Sequence, residues 1–367
     1  ILSNARTAHI TEGTKPGLGR VTCQYRNRCM RGCPYGAYFS SNSSTLPAAE
    51  ATGNMTLMPN SIVHEIIYDE ENKKAKGVRV IDAENNQSYE YYAKVIFLCS
   101  STVGSTSILM QSKSNRFPNG MGNDSGELGH NIMDHHFQVG ASGTFKGFKN
   151  KTTFGRKPAG FYIPRFRNIG GITDRKDYIR GYQYQGGANR GFMSIADSKE
   201  ELVSYGPRFK ENIVKKDEWT ASMTGFGEIL PYHDNKMTLN YDKKDQWGLP
   251  TVTFDAKIRE NEITMRKDMK IQAEEMLERS GFKDVYGNES KYVFGNGIHE
   301  MGTARMGNDP KTSVLNGNNQ IHDVKNVYVT DGACMTSAGN QNPSITYMAL
   351  TARAAKHAVD ELNKQNI

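Results

Sequence analysis

The residue with the strongest claim to chemistry is His299, which opens the run His299-Glu-Met-Gly-Thr-Ala-Arg-Met-Gly307. An imidazole has an unperturbed pKa of about 6.5, so a histidine in a glycine-punctuated loop is a candidate general base near neutral pH. Asp331-Gly332 follows the apolar run 326–330 and places a carboxylate at a strand end. There it can bond a ribose-type hydroxyl while the glycine lets the backbone approach a phosphate; a plain Asp-Gly turn is the other reading. Asn342-Pro343-Ser344 precedes a helical spacing of Ile345, Met348, Ala349, Ala352, Ala355 and Val359. Asn and Pro suit N-cap and N1 of that helix, whereas the Asn amide could instead hold a ligand oxygen. The positive end of the helix dipole would favour negative charge close by.

Two other groupings invite a metal. Asp134-His135-His136 is one, and the three thiols Cys23, Cys29 and Cys33, within 11 residues, are the other. The spacing Cys-x5-Cys-x3-Cys matches no common zinc or iron–sulfur pattern, and no fourth ligand is evident. We therefore expect no metal, and Cys33-Pro-Tyr-Gly36 reads as a tight turn. An odd count of five cysteines in 367 residues also argues against a disulfide framework.

The elements that must position these residues are of two kinds. Runs at 61–68, 76–82 and 88–92 read as short strands, and the continuous apolar run 94–99 reads as a strand buried on both faces of a parallel sheet. A small-residue turn, 100–105, then leads into a helix ending near Gln111. From 136 to 254 the pattern changes to period two. Phe137, Val139 and Ala141 alternate with polar or small residues, as do Tyr182 and Tyr184, Met237, Leu239 and Tyr241, and Val252 and Phe254. About six antiparallel strands follow from this, the tyrosines serving mostly sheet packing. A charged helix over 256–280 presents Ile258, Met265, Met269 and Met276 inward and stops at Gly281. The net charge of +7 carries no run of like charges, which disfavours a nucleic-acid arm. No stretch reaches the roughly 18 apolar residues of a membrane-spanning helix.

Taken together, these motifs make the sequence resemble the glucose-methanol-choline (GMC) family of FAD oxidoreductases. His299-x-x-Gly-Thr-x-x-Met-Gly is followed by Asp309-Pro310, Ser313-Val314, a strand ending in Asp331-Gly332, and Asn342-Pro343 opening the last helix. Upstream, Gly129-His-Asn-Ile-Met-Asp-His135 is similar to the family's Gly-x-Asn-x-x-Asp-His segment, and Gly53-Asn-Met-Thr-Leu with Val63 and Gly77-Val78 resembles its meander. The resemblance implies FAD as cofactor and oxidation of an alcohol CH–OH group. His299 would be the base at the flavin N5 edge, and Asn342 would bond the same substrate oxygen. Asp331, Gly332, Asn342, Pro343 and Ser344 would line the cofactor, and Val63 would offer backbone atoms to adenine, although a plain core valine reads equally well. The Asn-Pro variant with a Cys-Pro-x-Gly segment looks closest to bacterial sugar or polyol oxidoreductases. A small alcohol or sugar is thus the expected substrate, and an electron-acceptor subunit or a quinone the expected partner.

The expected fold is α/β, an incomplete FAD-binding lobe with an inserted, mainly antiparallel substrate domain of about six strands. Residues 1–53 would line the active-site entrance, 54–135 and 295–367 form the FAD lobe, and 136–294 the substrate domain. Two departures from the family stand out. No Gly-x-Gly-x-x-Gly follows a strand, so the fingerprint that holds a dinucleotide pyrophosphate is missing and the chain reads as the C-terminal part of a longer protein. Cys99-Ser100-Ser101 also stands where the family more often has Ala-Ala-Gly. Rival readings are a cofactor-free fragment or inactive remnant, and a metal module built on Cys23, Cys29 and Cys33.

Overall fold

The computed structural model describes residues 2–11, 18–26, 29–153, 155, 160–171, 175–192, 206–207, 210 and 216–367. In chain order the elements begin with β1 (Ser3–Asn4), α1 (Thr45–Glu50), β2 (Ser61–Asp69), β3 (Lys74–Asp82), β4 (Ser88–Tyr92), β5 (Ile96–Leu98) and α2 (Ser101–Gln111). Next come β6 (Val139–Phe145), β7 (Gly160–Ile163), β8 (Tyr182–Phe192), β9 (Lys216–Gly227), β10 (Lys236–Lys244) and β11 (Pro250–Asp255). The chain ends with α3 (Glu260–Arg279), β12 (Lys283–Glu289), β13 (Gln320–Ile321), β14 (Val324–Val329) and α4 (Ser344–Asn363). By contacts it divides into two compact units.

The first unit comprises Ile1–Leu57, Gln138–Phe226 and Thr264–Lys291. It is built on a six-stranded sheet in the order β1-β7-β8-β9-β6-β12. The pairs β1–β7, β7–β8, β6–β9 and β6–β12 are antiparallel. Helix α3 lays Met265, Met269, Ala273 and Leu277, spaced four residues apart, against Val139, Ala141, Tyr182, Tyr184 and Met223 of the sheet. Tyr182 and Tyr184 are fully buried, as packing residues of a sheet should be. Their hydroxyls bond Asp268 Oδ2 at 2.6 Å and the Met269 carbonyl at 2.5 Å. Asp268 also receives Arg167 and Arg175 guanidinium groups and the Tyr178 hydroxyl, so a buried carboxylate ties helix to sheet.

The second unit comprises Met58–Phe137, Gly227–Ile263 and Tyr292–Ile367. It holds an antiparallel meander, β2-β3-β4, and a three-stranded sheet, β13-β14-β5. Strands β14 and β5 run parallel, pairing Val327 with Ile96, Tyr328 with Phe97 and Val329 with Leu98. Alternation sends Val327, Val329, Ile96 and Leu98 into the main core with Leu109, Phe117 and Ile321. Phe97 and Tyr328 stack on each other at 4.9 Å and meet Ala354 and Ala358 of α4. Strand β5 is thus contacted on both faces, Phe97 only half-buried, while Lys94 and Cys99 at the ends of the run 94–99 are exposed.

Two expectations are corrected, and the helical spacing at 345–359 gains a context. The stripe Ile345, Met348, Ala349, Ala352, Ala355 and Val359 of α4 is exposed in this chain; Ile345 reaches 79% exposure. The helix instead turns its small residues Ala354 and Ala358 to the flat Phe97–Tyr328 pair, because only small side chains allow so close an approach. Pro343, not Asn342, occupies the N-cap position and makes no side-chain cap, so the helix starts one residue later than expected. Finally, β10 and β11, grouped by their alternation with the antiparallel strands of 137–254, form a two-stranded sheet of their own. Backbone bonds from Met237 to Gly129 (2.9 Å) and from Ile132 to Asn235 (3.0 Å) tie that hairpin to the second unit.

Candidate active site

Three segments far apart in sequence are hydrogen-bonded together within the second unit. Gly129 donates to Thr303 O at 2.7 Å, Thr303 to His130 O at 3.0 Å, and Met133 and Met301 exchange bonds of 2.8 and 3.0 Å. Gly302, Ala304 and Met306 in turn donate to the carbonyls of Gly332, Ala333 and Cys334, each at 3.0 Å. The motifs around Asp134, His299 and Asp331 are therefore neighbours. Glycine is required at the crossing: Gly302 has φ +86°, and a Cβ there would collide with the Asn131 carbonyl. A Cβ at Gly297 would collide with the His135 carbonyl and the Asp134 carboxylate.

Asp134 is fully buried and saturates its carboxylate with hydrogen bonds. Oδ1 accepts the backbone N–H of His135 (2.7 Å) and of His299 (3.1 Å). Oδ2 accepts the Tyr292 hydroxyl (3.0 Å) and the N–H groups of Gly295 (3.1 Å) and Gly297 (3.0 Å). One side chain thus shapes the whole approach to His299.

His299 is half-buried, and its Nδ1 lies 2.9 Å from Nδ1 of the fully buried His135. Nε2 of His135 lies 3.2 Å from the Ala338 carbonyl oxygen. Burial lowers the pKa of His299, opposed by the Asp134 charge. Burial also lowers that of His135, together with the His299 charge, to about 4; the Ala338 and Gly339 carbonyls and Asp134 oppose this. Both rings are neutral at neutral pH, the state a proton acceptor needs. The sequence assigns Asp134 and His135 no role at the site; the signal that could have found them is the Asp-His pair within Gly-x-Asn-x-x-Asp-His.

The residues expected at a cofactor are all in this unit. Val63 packs against the core, as a plain core valine does, and also lines a cleft of about 310 Å³ with His64, Ser100 and Gly104. Asp331 caps the short 3₁₀ turn Gly332–Cys334 through Ala333 N–H (2.9 Å) and accepts Ser105 Oγ at 2.5 Å. The turn reading of Asp-Gly is thus realised, and each carboxylate oxygen keeps a further lone-pair site. Asn342 and Ser344 are exposed and Pro343 is buried at the start of α4. Ser101, where the family more often has glycine, has φ +64°, a conformation that favours glycine. A second cavity of about 550 Å³, lined by Val103, Ile132, Tyr292, Phe294 and Glu300, adjoins the loop before His299. Burial raises the Glu300 pKa.

Whether these residues fit a bound cofactor can be tested on two atoms. Asn340 Nδ2 and Tyr347 Oη are buried and have no hydrogen-bond partner among the described residues. Tyr347 Oη lies beside Gly332, where a Cβ would stand only 3.0 Å from it. A buried orphan hydroxyl beside the Asp331-Gly332 turn is what a polar ligand would satisfy, so the residues fit.

In the first unit, Cys33-Pro-Tyr-Gly36 is a tight turn, closed by Gly36 N–H to the Cys33 carbonyl at 3.2 Å. Cys23, Cys29 and Cys33 line a cavity of about 540 Å³ with His9, whose Nε2 is 3.2 Å from Cys29 Sγ. Among the described residues no group of three or more His, Cys, Asp or Glu is placed to hold a metal.

A parallel strand pair, a small-residue turn into a helix, and a histidine-bearing loop hydrogen-bonded to the turn after an acidic strand end describe an α/β lobe. The chain belongs to the GMC oxidoreductases, a family of FAD flavoproteins: residues 20–137 match the family's N-terminal part and residues 231–351 its C-terminal part. It is 28% identical over 353 residues to 2-methyl-1,2-propanediol dehydrogenase of Mycolicibacterium austroafricanum, covering 94% of this chain and 61% of that protein. It is 25% identical over 355 residues to the fructose dehydrogenase large subunit of Gluconobacter japonicus, covering 96% and 62%. The chain thus spans about three-fifths of the length of these relatives. The fold is similar to that of formate oxidase from Aspergillus oryzae RIB40, with a TM-score of 0.61 at 15% identity over 88% of this chain and 64% of that one.

Proposed function

We propose that the protein oxidises an alcohol CH–OH group of a sugar or polyol with FAD, His299 acting as general base and Asn342 holding the same substrate oxygen. The observation that carries this is the seating of His299. Asp134 fixes its backbone, His135 contacts its ring, and burial keeps it neutral. Bound FAD supplies the acceptor for the carbon-bound hydrogen and its electron pair. His299 takes the hydroxyl proton as the carbon–oxygen bond becomes double, which an un-ionised alcohol cannot achieve at useful rate unaided. Val63 would border adenine, Asp331 and Gly332 the ribityl and phosphate region, and Asn342, Pro343 and Ser344 the flavin. The orphan hydroxyl of Tyr347 supports a polar ligand there. The sugar assignment draws support from relatives named for a diol and for fructose.

We assign residues 54–135 and 295–367, together with the hairpin β10-β11, to the FAD lobe, and 138–226 and 264–291 to the substrate domain. The FAD lobe reads as incomplete: β5 is an edge strand, and α4 exposes Ile345, Met348 and Val359. A further segment of the whole protein would cover both. The fructose relative is a large subunit, which supports an electron-acceptor subunit or a quinone as partner. Among the described residues no helix is long and apolar enough to cross a membrane. Rapid mixing of the full-length, FAD-loaded protein with sugars and polyols should bleach the flavin absorbance. Unchanged absorbance across that set, while the flavin remains reducible by dithionite, would reject the activity.

A further inference from the structure

We propose that His135 sets the proton position on His299, leaving Nε2 of His299 as the nitrogen that accepts the substrate proton. The inference rests on the reading of His299 as the base. A carbonyl oxygen can only accept, so the 3.2 Å contact of His135 Nε2 with Ala338 O requires the hydrogen to be on Nε2. Neutral His135 then carries no hydrogen on Nδ1. The 2.9 Å contact between the two Nδ1 atoms can be a hydrogen bond only if His299 donates, so His299 carries its hydrogen on Nδ1. In a neutral imidazole the other nitrogen, Nε2, must then hold the lone pair.

Three features make the assignment firm. The Asp134 carboxylate holds the backbone N–H of both histidines, which fixes the two rings against one another. The rings meet edge to face, at 78° between planes and 4.9 Å between centroids, so one ring's nitrogen is aimed at the edge of the other. Full burial keeps His135 neutral and so an acceptor, both at rest and when His299 becomes charged. During reaction the hydroxyl proton passes from the substrate oxygen to His299 Nε2. The resulting imidazolium keeps its Nδ1–H bond to His135, and no second proton moves. His135 is thereby a positioning residue, acting through His299.

The test is the tautomeric state, read by nitrogen NMR in full-length, FAD-loaded protein carrying ¹⁵N-histidine, with His299→Gln and His135→Asn assigning the signals. The expected result is a hydrogen on Nδ1 of His299 and on Nε2 of His135. A hydrogen on His299 Nε2 in the resting enzyme would overturn the proposal. His135→Leu removes the acceptor and should lower kcat about 10–100-fold with KM little changed. His135→Asn puts an amide oxygen where Nδ1 was and should restore most of that loss. Equal loss in both variants, with folding intact by circular dichroism, would also overturn it. Should His135→Leu not fold, the wild-type spectrum and His135→Asn decide the matter. Failure of the base reading looks different: His299→Ala would then reduce flavin normally, whatever tautomer the spectrum shows.

Discussion

The Asp134 carboxylate accepts the backbone N–H of His299 at 3.1 Å across 165 positions of sequence, and the same oxygen accepts the N–H of His135 at 2.7 Å. A buried anion therefore fixes both histidine backbones as well as the loop before them. Replacing Asp134 with Asn turns an acceptor-only group into one that presents N–H toward other N–H groups. The variant should lose about 3–5 kcal/mol of stability, as buried charge networks do when one member is removed. Urea unfolding measures it, and a midpoint equal to the parent's would count against this role.

His299→Ala should slow flavin reduction in the full-length enzyme by about two to four orders of magnitude. Substrate affinity should change less, because proton transfer matters chiefly in the transition state. Asn342→Ala should slow the rate less than His299→Ala, since a hydrogen bond to the oxygen is lost but the proton acceptor remains. Stopped-flow absorbance ranks the two; the reverse ranking would exchange their roles.

Acid should act on both the rate and the fold. Burial holds the His299 pKa below its ordinary value, so the proton-accepting form should persist as pH falls through about 6.5 and be lost only below. Asp134 is bonded to the backbones of both histidines, and Tyr292 in turn donates to Asp134 at 3.0 Å and meets the His136 ring edge to face. His135, at about 4 in the fold, should bind its proton more readily when unfolded. Stability should therefore fall as pH drops from about 6.5 to about 4, by on the order of 3 kcal/mol for this group. Unfolding curves over that range check the sign: stability that rises on acidification would contradict it.

Asp268 governs the other unit. Burial raises its pKa, but bonds from Tyr182, Tyr178 and Arg167 outweigh that and leave it below the ordinary value. Its contribution should be complete above about pH 4 and fade as pH falls through the lower folded pKa. Asp268→Ala should cost about 3–5 kcal/mol, leaving Arg167 and two tyrosine hydroxyls without their partner. Thermal unfolding of the variant is the measurement.

Gly302→Ala tests the crossing of the three segments. With φ +86° and the Asn131 carbonyl in the way, the added methyl should cost at least about 2 kcal/mol. Alanine at the exposed Gly126, also at positive φ but with open space around it, should cost less. Parallel urea titrations compare them, and equal losses would remove the packing argument.

The sequence by itself determined the elements and the reactive candidates. Alternation and helical period are local, so the meander, the strand β5 and the helix α3 were readable from side-chain order alone. His299, Asp331 and the Asn342-Pro343 helix start announced themselves by motif. What only the tertiary structure decided is which groups meet. Nothing local says that Asp134 organises the loop 292–299, that His135 meets His299 ring to ring, or that Asp268 gathers two arginines and two tyrosines. Periodicity also left open which face of α4 packs in this chain. The apolar stripe is larger and more regular, but the partner in this chain is the flat Phe97–Tyr328 pair, which accepts only the alanines. Period marks a face as apolar without stating what it packs against, and hydrogen bonds between distant segments leave no period at all.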